Sequence, residues 1–431
     1  MGDLENNVEK VEVPPFFICP ISLEIMKDPV TLPTGITYDR ESIEKWLFAK
    51  KNNTCPVTKN IILDHVDLTP NHTLRRLIQS WCTLNPLSGV ERVPTPRLPI
   101  SKPQILKLLK DLKQPNLQMK TLKRLKLIVL ENETNKRSME AVGAVDYLAN
   151  VLADQNNVTS SYSSAGEYSD DDVEGFELDT PADEALGVLY HMQISETGLQ
   201  GLFAKTGDFV DTLTRVMQRA ASYESRTYAV LLLKSMFDAT QRMQVATTMS
   251  LKPEFFAELV NVLIDQISQK ATKATLKLLI NVCVWGRNRI RAAEAGAVGA
   301  LIDILLDSTD KRVSEMVLLA LDQLCQCAEG RSEVLKHGAG LAVVSKKIFR
   351  VSPVASDRAV RILHSVAKFS GNTGVVAEML QLGVVGKLCL VLQVDCGSKM
   401  KERAMEILKM HARAWNNSPC IPHNLISSYP S

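Results

Sequence analysis

The sequence lacks the ligand sets and loops that mark zinc modules and most small-molecule enzymes. Its nine cysteines are scattered without a C-x-x-C pair, and Cys325 and Cys327 stand too close for the usual zinc spacing. It contains no glycine-rich phosphate loop, metal-ligand cluster or hydrolase motif. We therefore expect no cofactor and no metal, and we expect reduced thiols in the cytoplasm, with the nucleus as a second compartment.

Long apolar runs and a strong charge of one sign are also missing. No run reaches the length of a spanning helix, and residues 1–13 are polar and acidic where a signal peptide would be apolar. The formal net charge is only +2. We expect neither an integral membrane segment nor a nucleic acid partner.

What is present is a set of motifs between Phe16 and Trp81, in one order. They are CPI (19–21), DPV (28–30), GITYDR (35–40), Trp46, CPVT (55–58) and PNHTLRRLI (70–78). Together they resemble the U-box family. The resemblance implies a small α+β module shaped like a RING finger, in which salt bridges and hydrogen bonds stand where RING fingers hold zinc.

Local chemistry agrees with that fold. Asp39 suits a helix N-cap, and a helix is predicted from about Arg40 to Ala49, with a second one opening near Asn71. The predicted apolar stripes are Ile43, Trp46 and Leu47, then Leu74, Leu77, Ile78 and Trp81. Because so small a module has a thin core, charged side chains are expected to staple it. The candidate staples are Glu24, Lys27, Asp28, Asp39 and Arg40.

The resemblance also implies an activity, that of an E3 ubiquitin ligase. Such a ligase binds a ubiquitin-charged E2 and forms no covalent intermediate, so no catalytic residue of its own is expected. The E2-facing residues carried over by motif are Ile21, Trp46, Pro56 and Val57. The residues assigned to the U-box structure are Cys19, Asp28, Tyr38, Asp39, Arg40, Cys55 and Asn71.

Two positions, Trp46 and Lys59, have an alternative interpretation. An exposed tryptophan beside a proline is typical of an interface, but Trp46 shares a stripe with Ile43 and Leu47 and could be a core residue. Lys59 follows the CPVT motif where many U-boxes carry an arginine that bridges E2 and ubiquitin. Lysine keeps the charge and loses the planar fork, so transfer is expected to survive more slowly, and the alternative is an ordinary solvated loop residue.

Beyond this module, a recurring glycine followed by a helical stripe predicts repeats. Leu148, Val151 and Leu152 follow Gly143 at the same offsets as Leu301, Ile304 and Leu305 follow Gly296, and Leu388, Val391 and Leu392 follow Gly383. Gly296 and Gly338 are 42 residues apart, the period of armadillo or HEAT repeats. The G-[AV]-V-x-x-L form resembles armadillo. The predicted fold is thus mainly α, a zinc-free U-box followed by an armadillo α-solenoid.

The predicted divisions follow composition. They are a disordered segment 1–13, the U-box 14–86, a proline-rich linker 87–103, repeats 104–415 with an acidic disordered insertion at about 156–180, and a tail 416–431. A nuclear-import groove would need a Trp and Asn ladder, whereas the repeats hold only Trp285 and Trp415. Trp285 is expected to fill the core.

Charge is uneven along the chain. Residues 92–137 carry twelve Lys or Arg against three acidic residues, and residues 167–184 carry nine acidic residues and no basic one. The basic stretch is expected to be the solvated face of helices, the alternative being a docking surface for an acidic partner or a membrane surface. Thr69 and Thr95 each precede a proline and are candidate phosphorylation sites, although Thr-Pro also marks turns.

Two functions remain open at this point. The first is an E3 that binds an E2 and ubiquitin through its U-box, carries protein substrates on the repeats, and forms a homodimer through the U-box. The second is a non-catalytic armadillo scaffold with a degenerate U-box. The intact CPI, Trp and CPVT motifs favour the first, and the resemblance is to the stress- and elicitor-responsive plant ligases.

Overall fold

The computed structural model describes residues 13–49, 52–62, 68–85, 100–158, 180–205, 207–219, 222–241 and 251–415. The chain divides into two compact units. The first comprises Met1–Tyr147 with His191–Gln193, and the second comprises Leu148–Tyr190 with Ile194–Ser431. Thr95, the linker residues 86–99, residues 159–179 of the predicted insertion and the tail lie outside the described residues.

The first unit contains a three-stranded antiparallel sheet. Its strands are β1 (Pro29–Thr31), β2 (Thr37–Asp39) and β3 (Thr69–Pro70), in the order β2-β1-β3. Val30 pairs with Tyr38 on one side and with Pro70 on the other. The sheet thereby joins the two ends of the predicted U-box, which we call the N-terminal module (residues 14–86).

Two helices cover this sheet. Helix α1 (Arg40–Glu44) continues into a π-helical turn (Lys45–Ala49), so the predicted helix is present but changes its winding halfway. Helix α2 (His72–Leu84) begins where predicted, because the Asn71 side chain accepts the N–H of Leu74 at 3.0 Å. The predicted cap by Asp39 is wrong in its bonding, since its side chain makes no cap hydrogen bond.

The core of the N-terminal module is small and mixed. Tyr38, Ile43, Cys19 and Cys55 are fully buried, and Phe17, Met26 and Ile78 join them. The predicted stripe on α2 is wrong at Leu77, which is 53% exposed. A thin core of this kind leaves polar contacts to hold the loops.

The remainder of the described chain is helical. In the first unit lie α3 (Lys102–Asp111), α4 (Pro115–Glu131), α5 (Glu133–Ala141) and the start of α6 (Ala144–Val158). Next come α7 (Pro181–Met192), α8 (Glu196–Lys205), α9 (Gly207–Arg219), α10 (Tyr223–Gln241), α11 (Pro253–Asp265) and α12 (Gln269–Val282). Then follow α13 (Gly286–Glu294), α14 (Ala297–Asp307), α15 (Lys311–Leu324), α16 (Ala328–Lys336) and α17 (Gly340–Lys346). The last are α18 (Pro353–Ser370), α19 (Thr373–Gln381), α20 (Val384–Gln393), α21 (Ser398–Met410) and α22 (Ala412–Trp415).

Helices α13 to α21 form three repeats of one short and two further helices. Within a repeat the second and third helices pack together, and the third helices α12, α15, α18 and α21 pack on one another in sequence. Helices α12, α15 and α18 begin at capping side chains, which are Ser268, Asp310 and Ser352 in that order. This is the predicted solenoid of stacked repeats.

The recurring glycine has a conformational cause. Gly143, Gly296 and Gly383 all adopt positive φ, at +78°, +87° and +69°, between the short helix and the second helix. A residue with a Cβ is strained there, so the turn selects glycine. The apolar residues that follow each glycine are buried, except that Leu392 is half-buried.

The two tryptophans of the repeats differ. Trp415 is fully buried and its Nε1–H donates to the Val376 carbonyl at 3.0 Å. Trp285 is 42% exposed at the start of α13, so the prediction that it fills the core is wrong. Among the described residues no single helix has the length and composition to cross a membrane, although α19 and α20, bent by 68°, pass that test as a pair.

Candidate functional site

Two loops of the N-terminal module share one backbone design. Each cysteine N–H donates to the carbonyl five residues later, at 2.8 Å from Cys19 and 2.9 Å from Cys55. Each cysteine carbonyl accepts the N–H four residues later, from Leu23 and from Lys59, at 2.9 Å in both. Leu23 and Lys59 both have a φ of +59°. The CPI and CPVT motifs therefore close the same turn twice.

The two loops are held by neighbouring residues of β2. The backbone N–H of Asp39 points to Cys19 Sγ at 3.3 Å, and the Tyr38 hydroxyl lies 3.1 Å from Cys55 Sγ. The Tyr38 hydroxyl also accepts the N–H of Val57 at 3.3 Å. Adjacent positions on one strand thus place both loops, and hydrogen bonds to sulfur stand where a metal would hold a zinc module.

The environment of Cys55 favours its thiolate. Burial alone would raise its pKa, but hydrogen bonds from Thr34, Thr58 and Tyr38 outweigh burial and lower the pKa of Cys55 to about 6. Burial and the contact with Cys55 raise the pKa of Tyr38, which keeps its hydroxyl protonated as a donor. Among the described residues no group of three His, Cys, Asp or Glu side chains could hold a metal.

Asp28 is the ionic centre of the module. Its carboxylate contacts Arg40 Nε at 2.6 Å and Arg75 Nη1 at 3.4 Å, which joins the sheet to α1 and α2. Asp39 replaces its missing cap bond by accepting the backbone N–H groups of Lys27 and Asp28 at 2.8 and 2.9 Å. Of the predicted charged staples, Asp28, Asp39 and Arg40 make such contacts, while Lys27 contributes its backbone N–H and Glu24 its backbone carbonyl.

Trp46 links the π-helical turn to the second loop. Its Nε1–H donates to the carbonyl of Thr54 at 2.8 Å, one residue before Cys55. The ring is partly buried against the core of the module, as is Ile21 in the first loop. Trp46 is thus half-buried, with one side packed inward, and its role at an interface stays a prediction.

A buried carboxylate joins the N-terminal module to α5. Glu44 is 1% exposed, and its Oε1 accepts the Thr134 hydroxyl at 2.6 Å with Arg40 Nη1 3.7 Å away. Burial raises the pKa of the Glu44 carboxyl, while Thr134 and Arg40 oppose that rise. Sequence analysis missed this contact, because the partners are 90 residues apart.

Comparison with family models matches both parts of the chain. The U-box domain matches residues 13–86, and the plant U-box protein ARM repeat region matches residues 104–431. The chain belongs to the plant U-box proteins with ARM repeats. The two loops at Cys19 and Cys55, which we call the twin loops, belong to its U-box.

Relatives match over nearly the whole length. E3 ubiquitin-protein ligase PUB23 of Arabidopsis thaliana is 56% identical, with 98% of each chain covered. E3 ubiquitin-protein ligase PUB22 of the same plant is 53% identical, covering 98% of this chain and 100% of that protein. This chain is accordingly an E3 ubiquitin ligase of the U-box type.

A solved structure shows the fold of the repeats. It comes from work on a phosphorylation switch in the interaction between cadherin and beta-catenin, and it matches with a TM-score of 0.53 at 13% identity. The match covers 79% of this chain and 58% of that chain. At this identity the likeness concerns the fold alone.

In the U-box, the residues predicted to face the E2 occupy related positions. Ile21 and Val57 each follow the Cys-Pro of one twin loop, and Val57 is 51% exposed. Trp46 donates a hydrogen bond to the carbonyl of Thr54, two positions before Pro56. We call Ile21, Trp46, Pro56 and Val57 the apolar pad, and its role remains a prediction.

Lys59 and Thr69 are both exposed in the U-box. Lys59 sits at the left-handed turn of the second loop, two residues after Val57, so its backbone direction is set by that turn. Thr69 pairs with Thr31 in the β1–β3 register, immediately before the cap of α2. The signal that could have revealed the twin loops was the recurrence of Cys-Pro followed by a β-branched residue.

The third helices of the repeats carry ion pairs between successive repeats. Asp322 on α15 is 6% exposed at its side chain and accepts Arg358 at 2.8 Å and Arg361 at 2.9 Å from α18. Asp357 on α18 accepts Arg403 from α21 at 3.1 Å. These ion pairs connect neighbouring repeats and make the face formed by the third helices polar.

Proposed function

We propose that a ubiquitin-charged E2 docks on the apolar pad of this ligase. The observation that carries the proposal is the shared design of the two loops, which presents Ile21 and Val57 equivalently while Trp46 is tied to the second loop. A partly exposed tryptophan flanked by aliphatic side chains and a proline is the composition of an interface hot spot. The chemistry of transfer then belongs to the E2 thioester.

Lys59 is proposed to act beside the pad. Its exposed ammonium lies two residues beyond Val57, where it would contact acceptors on E2 and ubiquitin one at a time rather than as a fork. This supports a transfer rate lower than an arginine would give.

The remaining parts of the function are proposed on weaker chemical grounds. Protein substrates bind the ARM repeats, whose stacked third helices offer a long polar face. Thr69 and Thr95 are phosphorylated, the U-box forms a homodimer, and the ligase acts in the cytoplasm and the nucleus in stress or immune signalling. Thiols that are free throughout the described residues support a reducing compartment.

The test is ubiquitination in vitro with E1, a promiscuous E2 and ubiquitin. Val57→Arg, Ile21→Arg and Trp46→Ala are compared with the wild type, and Leu84→Arg serves as a matched control because Leu84 is 80% exposed at the end of α2. Chain formation is expected to fall by tenfold or more in the pad variants and to persist in the control.

Folding must be separated from docking, since Trp46 also bonds Thr54. Val57→Arg changes an exposed side chain and leaves the backbone N–H that donates to Tyr38 in place, so it is the deciding variant. Full activity of Val57→Arg and Ile21→Arg with several E2s would remove the pad from the mechanism. No chains from the wild type with any E2 would favour the scaffold function instead.

A further inference from the structure

The second unit contains a cavity of about 540 Å³ between α14 and α17. Its floor is apolar, with Leu305 of α14 and Val343 of α17, and its rim is polar. We call it the α14–α17 cavity. Neither the U-box nor the ion pairs on the third helices involve these residues, so the ligase function leaves the cavity unexplained.

Four cations line this cavity and no carboxylate does. They are Lys311 at the start of α15, Lys346 at the end of α17, and Lys347 and Arg350 in the following turn. Lys387 of α20 stands beside them and donates to the Ser345 hydroxyl at 3.2 Å. Within the described part of the chain, none of the four lining cations has an ion pair.

Two acidic side chains close to the lining in the sequence form ion pairs with residues outside the cavity. Asp310 precedes Lys311 in the chain, but its carboxylate contacts Lys273 at 2.8 Å and caps α15. Asp303 of α14 pairs with His337 at 3.2 Å. Asp307 and Glu315 also neighbour lining residues in the sequence without lining the cavity themselves, so the lining itself carries a net positive charge.

The cations act on one another. Burial lowers the pKa of Lys347, and the charge of Lys346 lowers it further. Burial likewise lowers the pKa of Lys387, and Arg350 and Lys346 add to that effect. Like charges gathered at one site repel, so an anion placed among them would relieve the repulsion and raise the pKa of Lys347 and Lys387 again.

The turn that carries two of these cations is held in place. Phe349 has a φ of +61°, and its N–H donates to the Ser356 hydroxyl at 2.9 Å. This strained, hydrogen-bonded turn fixes the backbone on both sides of Phe349, at Lys347 and Arg350. Hydroxyl donors at Ser308, Thr309 and Ser314 line the opposite side of the cavity.

We propose that the α14–α17 cavity is a binding site for a compact polyphosphate of the inositol polyphosphate class. Its volume lies in the range of small-molecule sites. Several cations converge from three helices and a turn, together with hydroxyl donors, which suits phosphate groups set around a small ring. A peptide would call for an extended groove, and a nucleic acid would call for a basic stripe.

The test measures binding of inositol hexakisphosphate to the full-length protein by calorimetry at fixed salt. The double variant Lys347→Gln with Arg350→Gln removes two cations from the cavity. The double variant Lys399→Gln with Lys409→Gln removes the same charge from α21 and serves as the matched control. We expect an affinity loss of roughly tenfold or more in the first variant and less than about twofold in the control.

Thermal unfolding supplies a second readout. Because the first variant relieves repulsion, it is expected to fold like the wild type, and inositol hexakisphosphate at one fixed concentration is expected to raise the melting temperature of the wild type and the control more than that of the first variant. Vesicles of phosphatidylcholine with phosphatidylinositol bisphosphate, against vesicles with phosphatidylserine at equal charge, distinguish a lipid headgroup from a free ligand.

Three results would overturn the proposal. The first is a wild type that binds neither inositol hexakisphosphate nor the phosphoinositide vesicles. The second is an equal loss in both double variants, which would indicate unspecific attraction to surface charge. The third is a site that binds an acidic phosphopeptide through Lys347 and Arg350 and has no affinity for inositol hexakisphosphate. Ubiquitination does not enter these readouts, so a failure of the E2 proposal leaves them interpretable.

Discussion

Removing the charge of Asp28 should loosen the whole U-box. Asp28→Asn keeps the shape of the side chain but weakens its contacts with Arg40 at 2.6 Å and Arg75 at 3.4 Å. Hydrogen bonds to charged groups contribute about 1.5–3 kcal/mol each, and the carboxylate is 17% exposed, so we expect a net loss of about 2 kcal/mol. A module of this size has only about 3–5 kcal/mol from its core.

The assay is hydrogen exchange of the full-length protein followed by mass spectrometry. A loss of about 2 kcal/mol corresponds to roughly thirtyfold faster exchange in peptides from β1, α1 and α2, since tenfold is about 1.4 kcal/mol. Peptides from α14 and α15 report on the repeats and should not change. The matched control is Glu41→Gln, because the Glu41 to Lys45 pair is 74% and 59% exposed and should contribute under about 0.5 kcal/mol.

Two outcomes would refute this reasoning. U-box exchange that rises less than about threefold in Asp28→Asn would mean that the ion pairs do not hold the module. An equal rise in Glu41→Gln would mean that exchange follows net charge rather than these contacts. An intermediate check is Arg40→Gln combined with Asp28→Asn, whose effects should be less than additive because they share one contact.

Three further predictions concern the U-box and the repeats. Lys59→Arg should speed E2 discharge several-fold, and an unchanged or slower rate would argue against a bridging role. For Cys55 the folded pKa of about 6 lies below the usual 9.0, so U-box stability should rise with pH between 6 and 9, by up to roughly 4 kcal/mol. Hydrogen exchange of U-box peptides measured across this pH range, after correction for the intrinsic exchange rate, would show it, and Cys55→Ser should flatten the slope. Asp322→Asn leaves Arg358 and Arg361 without their carboxylate. The free energy of unfolding of the repeats should therefore fall by about 2–4 kcal/mol, and their melting temperature should fall with it.

Local chemistry explains why much of the fold was predictable. Helical periodicity and capping residues act over a few neighbours, so the start of α2 at Asn71 followed from the sequence. The glycine recurrence predicted the repeats because a left-handed turn excludes side chains at Gly143, Gly296 and Gly383. Staples at Asp28 and Arg40 were likewise foreseen.

The sequence predictions were wrong where tertiary contacts determine the burial or the hydrogen bonding of a side chain. Periodicity placed Leu77 on the inner stripe of α2, yet the thin core leaves it exposed. Size alone suggested that Trp285 is buried, but it lies at a helix start on the surface. Asp39 has the residue type of a cap, while two backbone N–H groups across the turn compete for its carboxylate.

The family and the helical repeats could be inferred from the sequence alone, because motifs and short-range preferences are encoded in neighbouring residues, and the apolar pad stays a prediction from those motifs. Only the tertiary structure decided which distant groups meet. Arg75 reaches Asp28 across 47 residues and Thr134 reaches Glu44 across 90. The α14–α17 cavity likewise collects cations from separate helices. Such contacts depend on how helices pack in three dimensions, and no short-range pattern encodes that packing.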